Sequence, residues 1–152
     1  MTADQGAAPN ALRTPLAHLR EALDGTPLRE LPPRQQFEVR GPCDTGLWLG
    51  PDWHLVVDAP MEPDELRTVV DVSAARTILE LKGPHARSIL EHGCTIDLHP
   101  RAFGIGASAQ TNLAQAQVIL HHTARDTYEI YVRASFADYL ARWLLDAMVE
   151  YR

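Results

Sequence analysis

Residues 76–93, RTILELKGPHARSILEHG, change their period halfway, and that change decides the fold. From Arg76 to Lys82 the side chains alternate: Thr77, Leu79 and Leu81 face one way, Ile78, Glu80 and Lys82 the other, which is the two-residue period of a β-strand. Gly83-Pro84 then opens a helix. Proline suits the first turn because its missing N–H is one of the donors that a helix start leaves unpaired anyway. Ala86, Ile89 and Leu90 form the inner stripe, and Gly93 is the expected stop. The reading is a strand with one wet face, followed by a short helix.

The same two periods organise the chain on either side. Upstream, FEVR (37–40), GLWLGP (46–51), WHLVV (53–57) and TVVDV (68–72) are short runs rich in aromatic and branched residues, punctuated by Gly, Pro and Asp. Downstream, residues 110–114, 117–122 and 128–133 read as strands, the last with Tyr128, Ile130 and Val132 alternating with Glu129, Tyr131 and Arg133. The final two are expected to pair as a hairpin across residues 123–126. A terminal helix follows, with Ser135 and Asp138 as a capping-box-like start and Phe136, Leu140, Trp143, Leu144 and Ala147 at helical spacing. Strands, helix, strands, helix is an α+β order: an antiparallel or mixed sheet with helices packed on one face.

A chain of 152 residues is about one ordinary domain. Nine of its eleven prolines precede Asp64, which sets residues 1–35 apart as an extended N-terminal arm and residues 36–152 as the α+β domain. A short helix fits residues 15–23, where Leu16, Leu19, Arg20 and Leu23 share a face, until Asp24-Gly25-Thr26-Pro27 stops it. The net charge of -6 argues against nucleic acid or an anionic membrane as main partner, since both require clustered Lys and Arg. MTADQGAAPN lacks the pattern of a secretory signal and no run approaches the ~18 apolar residues of a membrane span, so a cytoplasmic location is expected. Cys43 and Cys94 stand far apart, as free thiols in a reducing compartment would.

Chemistry-bearing residues are sparse. His85 and His92, seven apart on the predicted helix, share a face, but a pair is fewer ligands than zinc takes. His121 and His122 are strand neighbours pointing to opposite faces, so they do not readily grip one ion together, and both are expected as solvent-facing polar side chains. Cys94 follows a helix C-terminus, where the dipole opposes a thiolate, and reads as a small buried hydrophobe. Gly104-Ile105-Gly106 resembles a phosphate-cradling turn, but no helix follows it; both glycines are expected to supply positive φ in a tight turn. Ser108 has no nucleophile-elbow frame. Asp97, His99 and Arg101 alternate and can hydrogen-bond a partner, brace their loop or, third in rank, do acid–base chemistry. The expectation is a chain with no catalytic, cofactor-binding or metal-binding residues of its own.

Three stretches carry a resemblance: VVDVSAARTILELKGPHARSILEHGCTIDLHPRAF, AQTNLAQAQVILHH and YEIYVRASFADYLARWLLDAM. Together with GLWLGPD they resemble, in order, the γ subunit of heterotetrameric sarcosine oxidase over roughly residues 38–149, with G-C-x-x-D-L-H-P-R-x-F and S-F-A-D-Y-L the most specific segments. The D-x-S … L-x-x-x-G-P portion alone is similar to the wider family of folate-binding aminomethyltransferases, whose folate-binding domain the fold should then resemble. The resemblance implies a non-catalytic chain docked on an α subunit, in a complex that also holds β and δ subunits and demethylates sarcosine oxidatively to glycine. It places FAD and FMN in β, NAD and tetrahydrofolate in α, and zinc in δ. Two departures stand out: Trp53-His54 where relatives commonly carry Glu-Trp, and a shortened stretch between Val57 and Thr68. These leave room for a related secondary-amine demethylase such as N-methylglutamate dehydrogenase, or for a folate-dependent aminomethyltransferase-like protein. Asp97, His99, Arg101 and Phe103, together with the N-terminal arm, are the expected partner-facing residues.

Overall fold

The computed structural model describes residues 13–152. Their strands are, in chain order, β1 (Leu28–Glu30), β2 (Gln36–Arg40), β3 (Leu47–Gly50), β4 (Trp53–Val57), β5 (Thr68–Asp71), β6 (Arg76–Lys82), β7 (Ser108–Leu113), β8 (Ala116–Ala124) and β9 (Thr127–Arg133). The helices are α1 (Arg20–Leu23), entered through a 3-10 turn at Ala17–Leu19, α2 (Ala86–Glu91) and α3 (Ala134–Ala147). A five-stranded sheet runs β1-β6-β9-β8-β7 and a four-stranded sheet β3-β4-β2-β5, and every pairing is antiparallel. The α+β class therefore holds, with the helices on one face of the larger sheet.

That helical face is the main core. Leu79, Leu81, Leu120, Ile130 and Val132 of the sheet meet Ala86, Ile89 and Leu90 of α2 and Ala137, Leu140 and Leu144 of α3. On the opposite face the sequence expectation holds only in part. Lys82 is exposed and Glu80 half-buried, but the smaller sheet covers the other end of β6: Ile78, Ile119 and Tyr131 pack with Leu49 and Leu55 in a second cluster. β9 is buried on both faces from Thr127 to Val132 for the same reason. Alternation within one strand reports two environments, not which of them a second layer will dry.

Residues 13–31 of the expected arm enter the core. Leu16, Leu19, Leu23 and Leu28 join the main cluster, Leu31 the second, and β1 pairs with β6 in the register Leu28↔Leu81 and Glu30↔Leu79. The helix expected over 15–23 is present as the 3-10 turn and α1, with Arg20 exposed beside its three buried leucines. β1 itself was unreadable, since three residues between prolines carry no period.

Local signals are corrected in three places. No side chain caps α3; Asp138 instead accepts from Arg142 Nε at 3.0 Å and pairs with His18. The β8–β9 hairpin is tighter than predicted, closing Ala124↔Thr127 around Arg125-Asp126, with Asp126 at φ 54°. Gly93 is glycine for room, not for positive φ: a Cβ there would lie 2.6 Å from the Trp143 ring and 2.9 Å from the Ala114 nitrogen. Gly93→Ala is expected to lower stability by about 2 kcal/mol through overpacking. Adding Trp143→Phe, which removes the crowding ring atoms, should recover part of that loss in a thermal melt.

Candidate functional site

The loop between α2 and β7 holds the residues singled out above, and its hydrogen bonds turn inward. Asp97 Oδ1 accepts the His99 N–H at 2.9 Å and His99 Nδ1 accepts the Arg101 N–H at 3.2 Å. The N–H groups of Ala102 and Phe103 both donate to the His99 carbonyl at 2.8 Å. Asp97 and His99 thus build a turn that needs no other element, and Asp97, His99 and Arg101 remain exposed on it. Phe103 does not share that exposure: its ring is 5% exposed and belongs to the main core.

Beneath the turn lies His122, which is buried where the sequence led us to expect a solvent-facing ring. Its Nδ1 donates to the Phe103 carbonyl at 3.1 Å, an assignment that follows because a carbonyl only accepts. The imidazole stacks on Tyr128 at 4.4 Å between ring centres and lies nearly parallel to Phe103 at 6.3 Å. The Gly106 N–H donates to the His122 carbonyl at 2.7 Å and the His122 N–H to the Ala107 carbonyl at 3.0 Å. Positive φ is needed at Gly106, φ 91°, and not at Gly104. A cleft of about 450 Å³ opens here, lined by Arg87, Pro100, Ile105, His122 and Tyr128. His122→Ala is expected to cost about 2–3 kcal/mol by removing a buried ring and a hydrogen bond. Amide exchange at Gly106 should accelerate more than exchange at the chain's other turns.

The remaining candidates are placed elsewhere. His85 stacks on Tyr151 at 5.0 Å and His92 Nε2 meets the Tyr151 hydroxyl at 2.8 Å, so the pair anchors the C-terminal turn. Among the described residues no three of His, Cys, Asp and Glu lie close enough together to hold a metal ion. Cys94 is half-buried against the core, its sulfur 4.0 Å from Thr111 Oγ1.

A polar cluster between the two sheets escaped the sequence reading. Glu129 accepts from Tyr131 Oη at 2.9 Å, pairs with Arg34 at 3.2 Å and lies 3.9 Å from His121 Nδ1. His121, Tyr131 and Arg34 hold the Glu129 carboxyl below its ordinary range against the opposing effect of burial. Burial, joined by the Glu129 charge, pushes the Tyr131 phenol well above its ordinary value, so it stays a donor. One signal was available: Glu129 interrupts the apolar run YEIYV and stands opposite His121 in the hairpin register. Arg34, arriving from the Pro32-Pro33 segment, gave none.

With the geometry in place, residues 43–150 match the profile of the "Sarcosine oxidase, gamma subunit" family. The chain belongs to that family. Among similar proteins, the "Sarcosine oxidase subunit gamma" of Corynebacterium sp. (strain P-1) is 42% identical over 116 residues, covering 69% of this chain and 57% of the relative. That of an Arthrobacter species is 38% identical over 135 residues, covering 78% and 64%. The chain spans about three-fifths of the length of these curated relatives. Among solved structures, a chain of the heterotetrameric sarcosine oxidase from Corynebacterium sp. U-96, in complex with pyrrole 2-carboxylate, superposes with a TM-score of 0.80 at 32% identity. The superposition covers 91% of this chain and 95% of that one. The family segment includes the Asp97–Phe103 turn and runs past α3 to residue 150, so the braced loop lies wholly inside it. No described helix is long and apolar enough to cross a membrane.

Proposed function

We propose that this chain is the non-catalytic gamma subunit of a heterotetrameric, flavin-dependent sarcosine oxidase, an oxidoreductase that demethylates sarcosine to glycine. The observation that carries this reading is the superposition with a heterotetrameric sarcosine oxidase chain over nearly the full length of both. In this reading the chain docks on the alpha subunit, beta and delta complete the complex, and FAD, FMN, NAD, tetrahydrofolate and zinc reside in those partners. An interface of this permanent kind buries ~2,000 Å² or more, with Arg and aromatic anchors near its centre. The self-braced turn supports a docking role: Asp97 and His99 fix the backbone, Phe103 pins it from below, and Arg101 is left exposed.

Co-expression with the candidate partner subunits tests the reading. The chain is expected to copurify stoichiometrically with a large yellow flavoprotein, and alone to show no visible absorption. A lone preparation that retains a chromophore or oxidises an N-methyl amine would refute it. Arg101→Ala should weaken assembly at least about tenfold, while shifting the melting temperature of the isolated chain by no more than a surface substitution does. Equal loss of assembly and stability would count against the turn as a docking surface.

A further inference from the structure

The smaller sheet ends on an open edge. Strand β5 pairs only with β2, in the register Val39↔Val69 and Glu38↔Val70. The Val72 N–H donates to the Gln36 carbonyl at 2.8 Å, so the even-numbered residues of β5 exchange hydrogen bonds with β2, and Val69 and Asp71 turn their N–H and C=O groups outward. Among the described residues nothing pairs with those groups. The sheet's other edge differs: there Gln110 of β7 donates to the Leu49 carbonyl of β3 at 2.9 Å.

Natural edges are blunted by shortness, lysine, proline, bulges or covering loops, because unpaired strand edges recruit other strands; β5 is short, at four residues, but carries no lysine or proline. β5 has the sequence TVVD with no bulge in its pairing, and the side chains beside its edge are apolar and exposed: Leu66 is 77% and Val70 52% exposed. Charge around the edge is one-sided. Residues 62–71 hold four acids, Glu62, Asp64, Glu65 and Asp71, and one base, Arg67, which is already paired with Asp64 at 2.9 Å; Asp58, at the end of β4 across β2, is paired with Arg34 at 3.7 Å and lies outside this group. Arg40, opposite Thr68, is committed to the face of Trp53 at 3.9 Å.

We propose that the β5 edge is a strand-addition site for an extended, basic segment of a partner protein, whose backbone pairs with Val69 and Asp71 and whose Lys or Arg side chains meet the flanking acids. Main-chain pairing supplies affinity in this mode and the alternate side chains supply selectivity. The edge belongs to the sheet away from the Asp97–Phe103 turn, so its test is independent of the docking proposal.

The probes are two short synthetic peptides, one alternating valine with lysine and one alternating valine with glutamate, titrated onto the full-length chain by fluorescence anisotropy. The lysine peptide should bind at least roughly tenfold more tightly than the glutamate peptide, and binding should weaken with salt. On binding, amide exchange should slow at Val69 and Asp71 while Val70, already bonded to β2, changes little. Val69→Pro removes an outward donor without touching the β2 ladder and should abolish most of the affinity; Glu65→Lys with Asp71→Lys should reverse the peptide preference. Lysine-peptide binding that Val69→Pro leaves intact would reduce the site to diffuse electrostatics and overturn the proposal, as would failure of either peptide to protect Val69 and Asp71.

Discussion

A chain shortened to begin at Gln36 is expected to lose its cooperative thermal transition and to aggregate. The missing segment would take with it Leu16, Leu19, Leu23, Leu28 and Leu31, all buried. At roughly 1.5–3 kcal/mol for each buried leucine the loss is on the order of 10 kcal/mol, as large as the whole stability of a typical domain. It would also strip β1 from β6 and leave a seven-residue strand carrying Ile78, Leu79 and Leu81 as an open edge, the configuration that recruits other strands. Far-UV circular dichroism on heating, with light scattering, reads both effects. Leu28→Ala, at a fully buried position facing Leu81, isolates one contact and should cost about 3 kcal/mol. A chain starting at Gln36 that melted cooperatively near the full-length temperature would show that the leucines of residues 16–31 merely cover a core complete without them.

That segment marks the limit of what the sequence disclosed. Elements with a sustained period or clear start and stop signals were legible: β6, β9 and α3 show several alternations or turns, and the short α2 is bracketed by Gly83-Pro84 and Gly93, so all four sit where the pattern put them. The helical spacing of Leu16, Leu19 and Leu23 was legible but not that this face enters the core, and Leu28 and Leu31 lie in or beside a three-residue strand too short to show a period. The second sheet's effect was hidden for a different reason. Ile78 and Tyr131 looked like the outer residues of their strands, and only the tertiary stacking of β3 and β4 shows that they face a second core. At the turn, the alternation of Asp97, His99 and Arg101 pointed to bracing as one of three roles, and Asp97 and His99 do brace the loop, whereas the burial of Phe103 and His122 depends on a carbonyl contact spanning nineteen residues.

Replacing Arg34 with methionine is expected to destabilise the chain by about 2 kcal/mol at neutral pH. Removing one partner of a buried ion pair leaves the other charge uncompensated, commonly at 3–5 kcal/mol, and partial solvent screening at the arginine lowers that figure. The Glu129 carboxylate would keep Tyr131 Oη at 2.9 Å and His121 at 3.9 Å but lose its guanidinium. In the native chain Glu129 ionises below its ordinary range, so the stabilisation from its environment is fully present above the unfolded value of about 4.3 and is lost as pH falls through the lower folded value. The deficit of Arg34→Met should therefore be widest near neutrality and close in acid, where protonation removes the charge that Arg34 compensated. Urea melts across that range measure it. Glu129→Gln removes the same charge at every pH, so in its background Arg34→Met should cost less, by about 1 kcal/mol or more. A deficit independent of pH and additive with Glu129→Gln would mean that Arg34 acts through packing of its stem between the sheets, with no contribution from the pair.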